Sequence, residues 1–374
     1  MIRRTLSETL ERKLFKGKAV ILLGPRQVGK TTLIRSLLKD RPHLFLNGDD
    51  PAVRLLLDGV TVSTLERIIG RHTIVFIDEA QRISEIGITL KLITDQFPHV
   101  QLLVSGSSAL EINQSTQEPL TGRKFEYHLY PISWEEFELH VGFTEASFQL
   151  EERLIYGMYP DVINNRSDHR EVLNQLVSSY LYKDVLSFIG LRKPEMLDKL
   201  LKALALQVGS EVSYNELSNL LEIDKGTVAR YIDLLEQAYI VYRLGSFSRN
   251  LRNEIKTNRK IYFYDNGIRN MIINNLNPID LRTDKGALWE NFLIAERIKM
   301  QAYHRLYANN YFWRNKQKQE VDFIEERDGK IRAFEFKWKK TGRDRIPTTF
   351  LETYGAEGMV VDRESFRKFL EIKD

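Results

Sequence analysis

The chain has no cysteine. That removes disulfides, iron–sulfur clusters, cysteine-ligated zinc and a cysteine nucleophile together. Its 7 histidines are scattered with no H-x-x-x-H pair, so zinc hydrolysis has no support. No apolar stretch approaches the ~18 residues needed to cross a bilayer, and the densest, residues 19–23, is strand-sized. The basic pair Arg3-Arg4 is not followed by an apolar run, so no signal peptide is expected. The expectation is a cytoplasmic chain without a membrane partner. Internal repeats and low-complexity segments are also missing.

What is present is ordinary for a globular protein: 374 residues, 43% hydrophobic and 28% charged. At about 150 residues per domain, that length suggests two or three domains. The 55 Lys+Arg against 51 Asp+Glu leave a net charge of +4, which permits a nucleic-acid partner without demanding one.

Between residues 17 and 132, short apolar runs alternate with helical patterns. Residues 19–23, 43–46, 73–77 and 100–104 read as buried strands, with a fifth from Glu126 to Ile132. Continuous apolar strands without in/out alternation are what a parallel sheet covered on both faces requires, so a doubly wound α/β domain over 1–150 is expected. Ser133-Trp134-Glu135-Glu136 then opens a helix with a capping box. Residues 151–195 read as a helical connector.

The strongest motif is Gly24-Pro25-Arg26-Gln27-Val28-Gly29-Lys30-Thr31, followed by Thr32, which fits G-x-x-x-x-G-K-[ST] without a gap. It lies between a strand and a helix. Its glycines let successive N–H groups curl into a phosphate cradle, to which the helix N-terminus adds partial positive charge. Lys30 would bridge the β- and γ-phosphates of ATP and the Thr31 hydroxyl would ligate Mg²⁺. Strand 73–77 leads into Asp78-Glu79-Ala80-Gln81. Asp78 can hold the metal shell, and Glu79 can polarise the attacking water as general base. Ser105 or Ser107, at the end of strand 100–104, would sense the γ-phosphate. Arg123, in Thr121-Gly122-Arg123-Lys124, is the candidate arginine finger acting in trans, which implies a homo-oligomer; Arg26 is a weaker competitor.

These residues, together with Val104-Ser105-Gly106-Ser107-Ser108, Leu120-Thr121-Gly122-Arg123 and Leu129-Tyr130-Pro131-Ile132-Ser133, resemble a group of bacterial and archaeal AAA+-type ATPases that also carry a C-terminal domain. Gly157-Met158-Tyr159-Pro160 is similar to their mid-chain signature. The resemblance spans nearly the whole chain and implies ATP binding, hydrolysis and a winged-helix middle.

Residues 196–264 independently read as a winged helix-turn-helix: three helices, with Ser213 and Asp224 as caps, then strands at 239–242 and 260–264. Helix 225–237 would present Lys225, Thr227, Arg230 and Tyr231 to DNA. The ribbon 243–260 adds Arg243, Arg249, Arg252, Lys256, Arg259 and Lys260 against Glu254 alone. Many such domains only pack, and six cations also make a normal solvated face.

Residues 265–374 form an expected small α/β unit, with a type I′ hairpin at Asp328-Gly329. Glu290, Asp322 and Glu335 could together ligate Mg²⁺ with Lys337 beside them, a constellation for phosphodiester cleavage that resembles the restriction-endonuclease-like core. Glu-x-Lys alone carries little, since it recurs at Glu11/Lys13, Glu254/Lys256 and Glu371/Lys373. Three readings follow: an ATPase working on or regulated by nucleic acid, an ATP-controlled nuclease, and an ATP-dependent switch with a protein partner.

Overall fold

A computed structural model describes residues 1–107, 120–178, 194–249, 259–342 and 344–372. Ser108, Arg252 and Lys256 lie outside them. The chain divides into two compact units, residues 1–132 with 237–239, and residues 133–236 with 240–374.

The first unit is built on a five-stranded sheet of β1 (Ala19–Leu23), β2 (Leu44–Asn47), β3 (Ile74–Asp78), β4 (Gln101–Gly106) and β5 (Lys124–His128). The order is β2-β3-β4-β1-β5, and every pairing is parallel. All residues of β1, β3 and β4 are buried, which is why their sequences lack alternation. The fifth strand starts two residues earlier than expected and ends at His128. The apolar run Leu129–Ile132 is buried but continues past the strand, with Leu129 N–H donating to Leu23 O. Gly24 sits against that crossing: a Cβ there would lie 2.0 Å from Leu129 O. Glycine is required by space as well as by its φ of +150°.

The second unit begins with helix Trp134–Val141, whose capping box forms as read: Ser133 Oγ accepts from Glu136 N–H, and Glu136 Oε2 accepts from Ser133 N–H. Its sheet has seven strands: β6 (Glu211–Val212), β7 (Val241–Ser246), β8 (Arg259–Phe263), β9 (Asn309–Arg314), β10 (Glu320–Arg327), β11 (Lys330–Phe336) and β12 (Glu357–Val361). Their order is β12-β11-β10-β9-β7-β8-β6. Helices Pro194–Leu206, Tyr214–Leu221 and Lys225–Gln237 precede β7 and β8. The 19-residue helix Lys285–Tyr303 precedes β9. The two stretches read as separate units at 196–264 and 265–374 therefore share one sheet, joined where β7 pairs in parallel with β9.

Gly157 explains the mid-chain signature. Met158 N–H donates to the buried Asp265 carboxylate at 2.7 Å, and a Cβ on Gly157, at φ +78°, would strike that carboxylate at 2.1 Å. Among the described residues, no helix is long and apolar enough to cross a membrane.

Candidate nucleotide site and C-terminal carboxylate cluster

The loop after β1 turns through Gln27 at φ +60° and Gly29 at φ +93° into helix Lys30–Leu37. The buried Lys30 ammonium points back into the loop, donating to Gly24 O at 2.9 Å and Pro25 O at 2.8 Å. Because β4 lies between β1 and β3, the ends of all three strands converge. Asp78 closes β3 and collects donors from its neighbours: Thr31 Oγ1–H at 2.8 Å, the Ser105 hydroxyl, and Glu79 N–H at 3.2 Å. Glu79 follows at φ +48°, a left-handed conformation that a non-glycine residue holds only under constraint. Gln81 ties the next layer together, donating through Nε2 to Glu79 Oε2 at 2.5 Å and to Ser107 Oγ at 2.8 Å. The Ser107 N–H returns a bond to Gln81 Oε1 at 3.4 Å.

The C-terminal residues also approach one another, in a different pattern. Glu290, on helix Lys285–Tyr303, accepts at Oε1 from Tyr262 O–H at 2.5 Å and from Lys260 Nζ at 3.2 Å. Lys260 also pairs with Glu320 Oε1 at 2.5 Å. Asp322 lies in a β-bulge: Val321 faces Trp313 while Ile324 faces Tyr311, so β10 carries an extra residue there. Its Oδ2 accepts from Phe336 N–H at 2.8 Å. Glu335 Oε1 accepts from Lys337 Nζ at 2.7 Å. Burial, followed by the neighbouring Asp322, pushes both Glu290 and Glu335 up to about 7.

Residues 16–138 match a family described as an AAA domain. The N-terminal unit thus carries a segment similar to an AAA domain. Residues 147–278 and 285–371 match two domains of unknown function (DUF8612 and DUF4143). An uncharacterized protein of Mycobacterium tuberculosis is 28% identical over 348 residues, covering 91% of this chain and 74% of its own length. One of Methanocaldococcus jannaschii is 23% identical over 291 residues, covering 66% of this chain and 61% of its own. Among solved structures, a Walker-type ATPase of Pyrococcus abyssi is 18% identical with a TM-score of 0.49, covering 73% of this chain and 96% of that one.

In the N-terminal unit the donor set suits Mg²⁺–ATP. Thr31 Oγ1 and Asp78 Oδ2, 2.8 Å apart, are close to the edge of an octahedron with bonds of about 2.1 Å, which is about 3.0 Å. The structure therefore brings together Gly24, Lys30, Thr31, Asp78, Glu79 and Ser107. Pro25, Arg26, Gln27, Val28 and Gly29 form the loop between them, and Thr32 is exposed on the first helical turn.

Arg123 is placed elsewhere. It precedes β5 at the end where Ala19 pairs with Lys124, so the length of β1, ~16 Å, separates it from the phosphate loop of its own chain. Its guanidinium is paired with Asp95 at 2.5 Å. Action in cis is ruled out by that placement.

Two participants escape the sequence reading. Gln81 stands within the quoted Asp78–Gln81 run but carries no role there. The buried Arg4 donates to Val28 O and to Tyr130 O, both at 2.6 Å, clamping the loop to the segment after β5. No local signal marks it, because its partners lie 24 and 126 residues away.

The basic ribbon is thinner than its composition suggests. Arg243 is held by Asp233 at 2.5 Å and by Glu236, and Lys260 is buried among carboxylates. Lys225 and Arg230 stand exposed on helix Lys225–Gln237, whereas Tyr231 is buried.

Proposed function

We propose that the chain binds Mg²⁺–ATP at the phosphate loop and hydrolyses it. The observation that carries this is the Thr31–Asp78 contact directly beside Lys30 and Glu79, which gathers cation ligands, a phosphate-binding ammonium and a base at the ends of three adjacent strands. The loop amides and Lys30 would hold the phosphates. Thr31 and Asp78 would hold Mg²⁺, which supplies charge neutralisation for phosphoryl transfer. Glu79 would orient and deprotonate water, with Gln81 fixing its carboxylate and linking it to Ser107. A cation on the γ-phosphate would come from Arg123 of a neighbouring copy, making the active species an oligomer. Glu79→Gln tests the assignment: ATP binding is retained while turnover falls by about 10²–10⁴, measured by phosphate release. Undiminished turnover removes Glu79 as the base.

We further propose that the helices from Pro194 to Gln237 with β6, β7 and β8 are a winged helix-turn-helix offering Lys225 and Arg230 to nucleic-acid phosphates. ATP turnover measured with and without double-stranded DNA checks this, and a shift-assay affinity that does not fall with salt excludes it. The C-terminal strands and helix Lys285–Tyr303 are assigned, on the same footing, to a restriction-endonuclease-like core.

A further inference from the structure

The C-terminal carboxylate cluster is the part of the molecule that ATP hydrolysis leaves unused. Four acids meet there, Glu290 from a helix and Glu320, Asp322 and Glu335 from neighbouring strands. A divalent cation on such oxygens needs several of them turned to one point at about 2.0–2.2 Å. The structure turns one oxygen of each acid to another partner. Glu290 Oε1 serves Tyr262 and Lys260, Glu320 Oε1 serves Lys260, Asp322 Oδ2 takes the Phe336 N–H, and Glu335 Oε1 takes Lys337. The Glu335 Oε2 atom is buried without a hydrogen-bond partner, but one oxygen is not a metal site. Among the described residues, no group of three or more acidic or histidine side chains is arranged to hold a metal ion. The Mg²⁺ that the resemblance implies for this region does not fit.

We infer that the Lys260 ammonium is the resident cation of this cluster, standing where a divalent metal would stand, so that the C-terminal region carries out no metal-dependent phosphodiester cleavage. Two observations support it. The Lys260 side chain is only 2% exposed and arrives from β8, on a different part of the chain from the acids it joins. It bridges Glu290 and Glu320, with its charge 5.5 Å from the Phe312 ring centroid. A fixed positive charge among these oxygens repels any second cation brought to them.

The test uses the full chain, free of nucleotide, titrated with Mn²⁺ and followed by the electron paramagnetic resonance of the free ion and by thermal melting. Wild type is expected to leave the Mn²⁺ signal free and its Tm unmoved. Lys260→Met is expected to take up one Mn²⁺ per chain, to melt higher with Mn²⁺ than without, and to lose both gains when Glu290→Gln is added. Stoichiometric uptake by wild type that Glu290→Gln removes would overturn the inference. So would a folded Lys260→Met chain that binds none, or Mn²⁺-dependent plasmid nicking by wild type that disappears in Glu335→Ala. If Lys260→Met does not fold, Lys260→Gln, which keeps a donor toward Glu320, takes its place: uptake of one Mn²⁺ supports the inference and no uptake overturns it.

Discussion

Lys30 and Lys260 are both buried ammonium groups, but what holds them differs in kind. Lys30 donates to the carbonyl oxygens of Gly24 and Pro25, neutral acceptors that phosphate oxygens can replace without stranding a buried charge. Lys260 is held by Glu290 and Glu320, and anything displacing it leaves carboxylates unbalanced in a dry setting. A lysine on replaceable dipoles is available to a ligand; a lysine on fixed carboxylates belongs to the framework. The same contrast holds for the acids. Asp78 receives hydroxyl donors from Thr31 and Ser105, whereas Glu290 is committed to an ion pair and a tyrosine.

This contrast can be broken first where it predicts the most. Glu290→Ala removes one partner of a buried pair and should destabilise the chain by about 3–5 kcal/mol. Denaturant unfolding measures it, and a loss under about 1 kcal/mol, the range of an exposed pair, would show the ion pair to be peripheral. Lys30→Ala should differ. Stability should fall less than in Glu290→Ala, because the Gly24 and Pro25 carbonyls that lose a donor are neutral. ATP affinity should fall at least about 100-fold, the loss of one or two charge-assisted bonds. Calorimetric titration reads this, and retained affinity ends the phosphate-cradle assignment.

A smaller effect sharpens the comparison with an acid that is neither ligand site nor core. Glu126 is held down to about 2 by its bond to His128, helped by Lys124 and opposed by burial. Its folded value lies below its unfolded one, so its contribution is present above about pH 4.5 and is lost as pH falls toward about 2. Glu126→Gln should therefore cost about 1 kcal/mol at neutral pH. The gap to wild type should close on acidification; a gap that widens would reverse the sign.

Much of the N-terminal unit is legible because its signals are local. Continuous apolar runs mark the parallel strands, and the phosphate loop is a single stretch of chain. The Asp328-Gly329 turn likewise needs only two residues, and both take positive φ, at +53° and +74°, as a type I′ hairpin demands. What stays hidden depends on distant partners. Lys260 reads as one more cation in a basic ribbon until the acids of β10 and of helix Lys285–Tyr303 are folded against it. Arg4 reads as half of a basic pair until Val28 and Tyr130 are brought to it. The end of β5 misleads for another reason: Leu129 and Ile132 are as buried as strand residues, and hydrophobicity alone does not separate a strand from a buried segment that follows it. Arg123 precedes β5, at the opposite end of the parallel sheet from the phosphate loop of its own chain.

The pairing of Gly245 with Tyr311 and Ser246 with Phe312 has a practical corollary. Severing the chain near residue 280 would part β7 from β9 and leave each fragment with a raw strand edge, an invitation to aggregate. The segments matched at 147–278 and 285–371 are thus halves of one fabric, and neither half should be cloned, deleted or transplanted without the other.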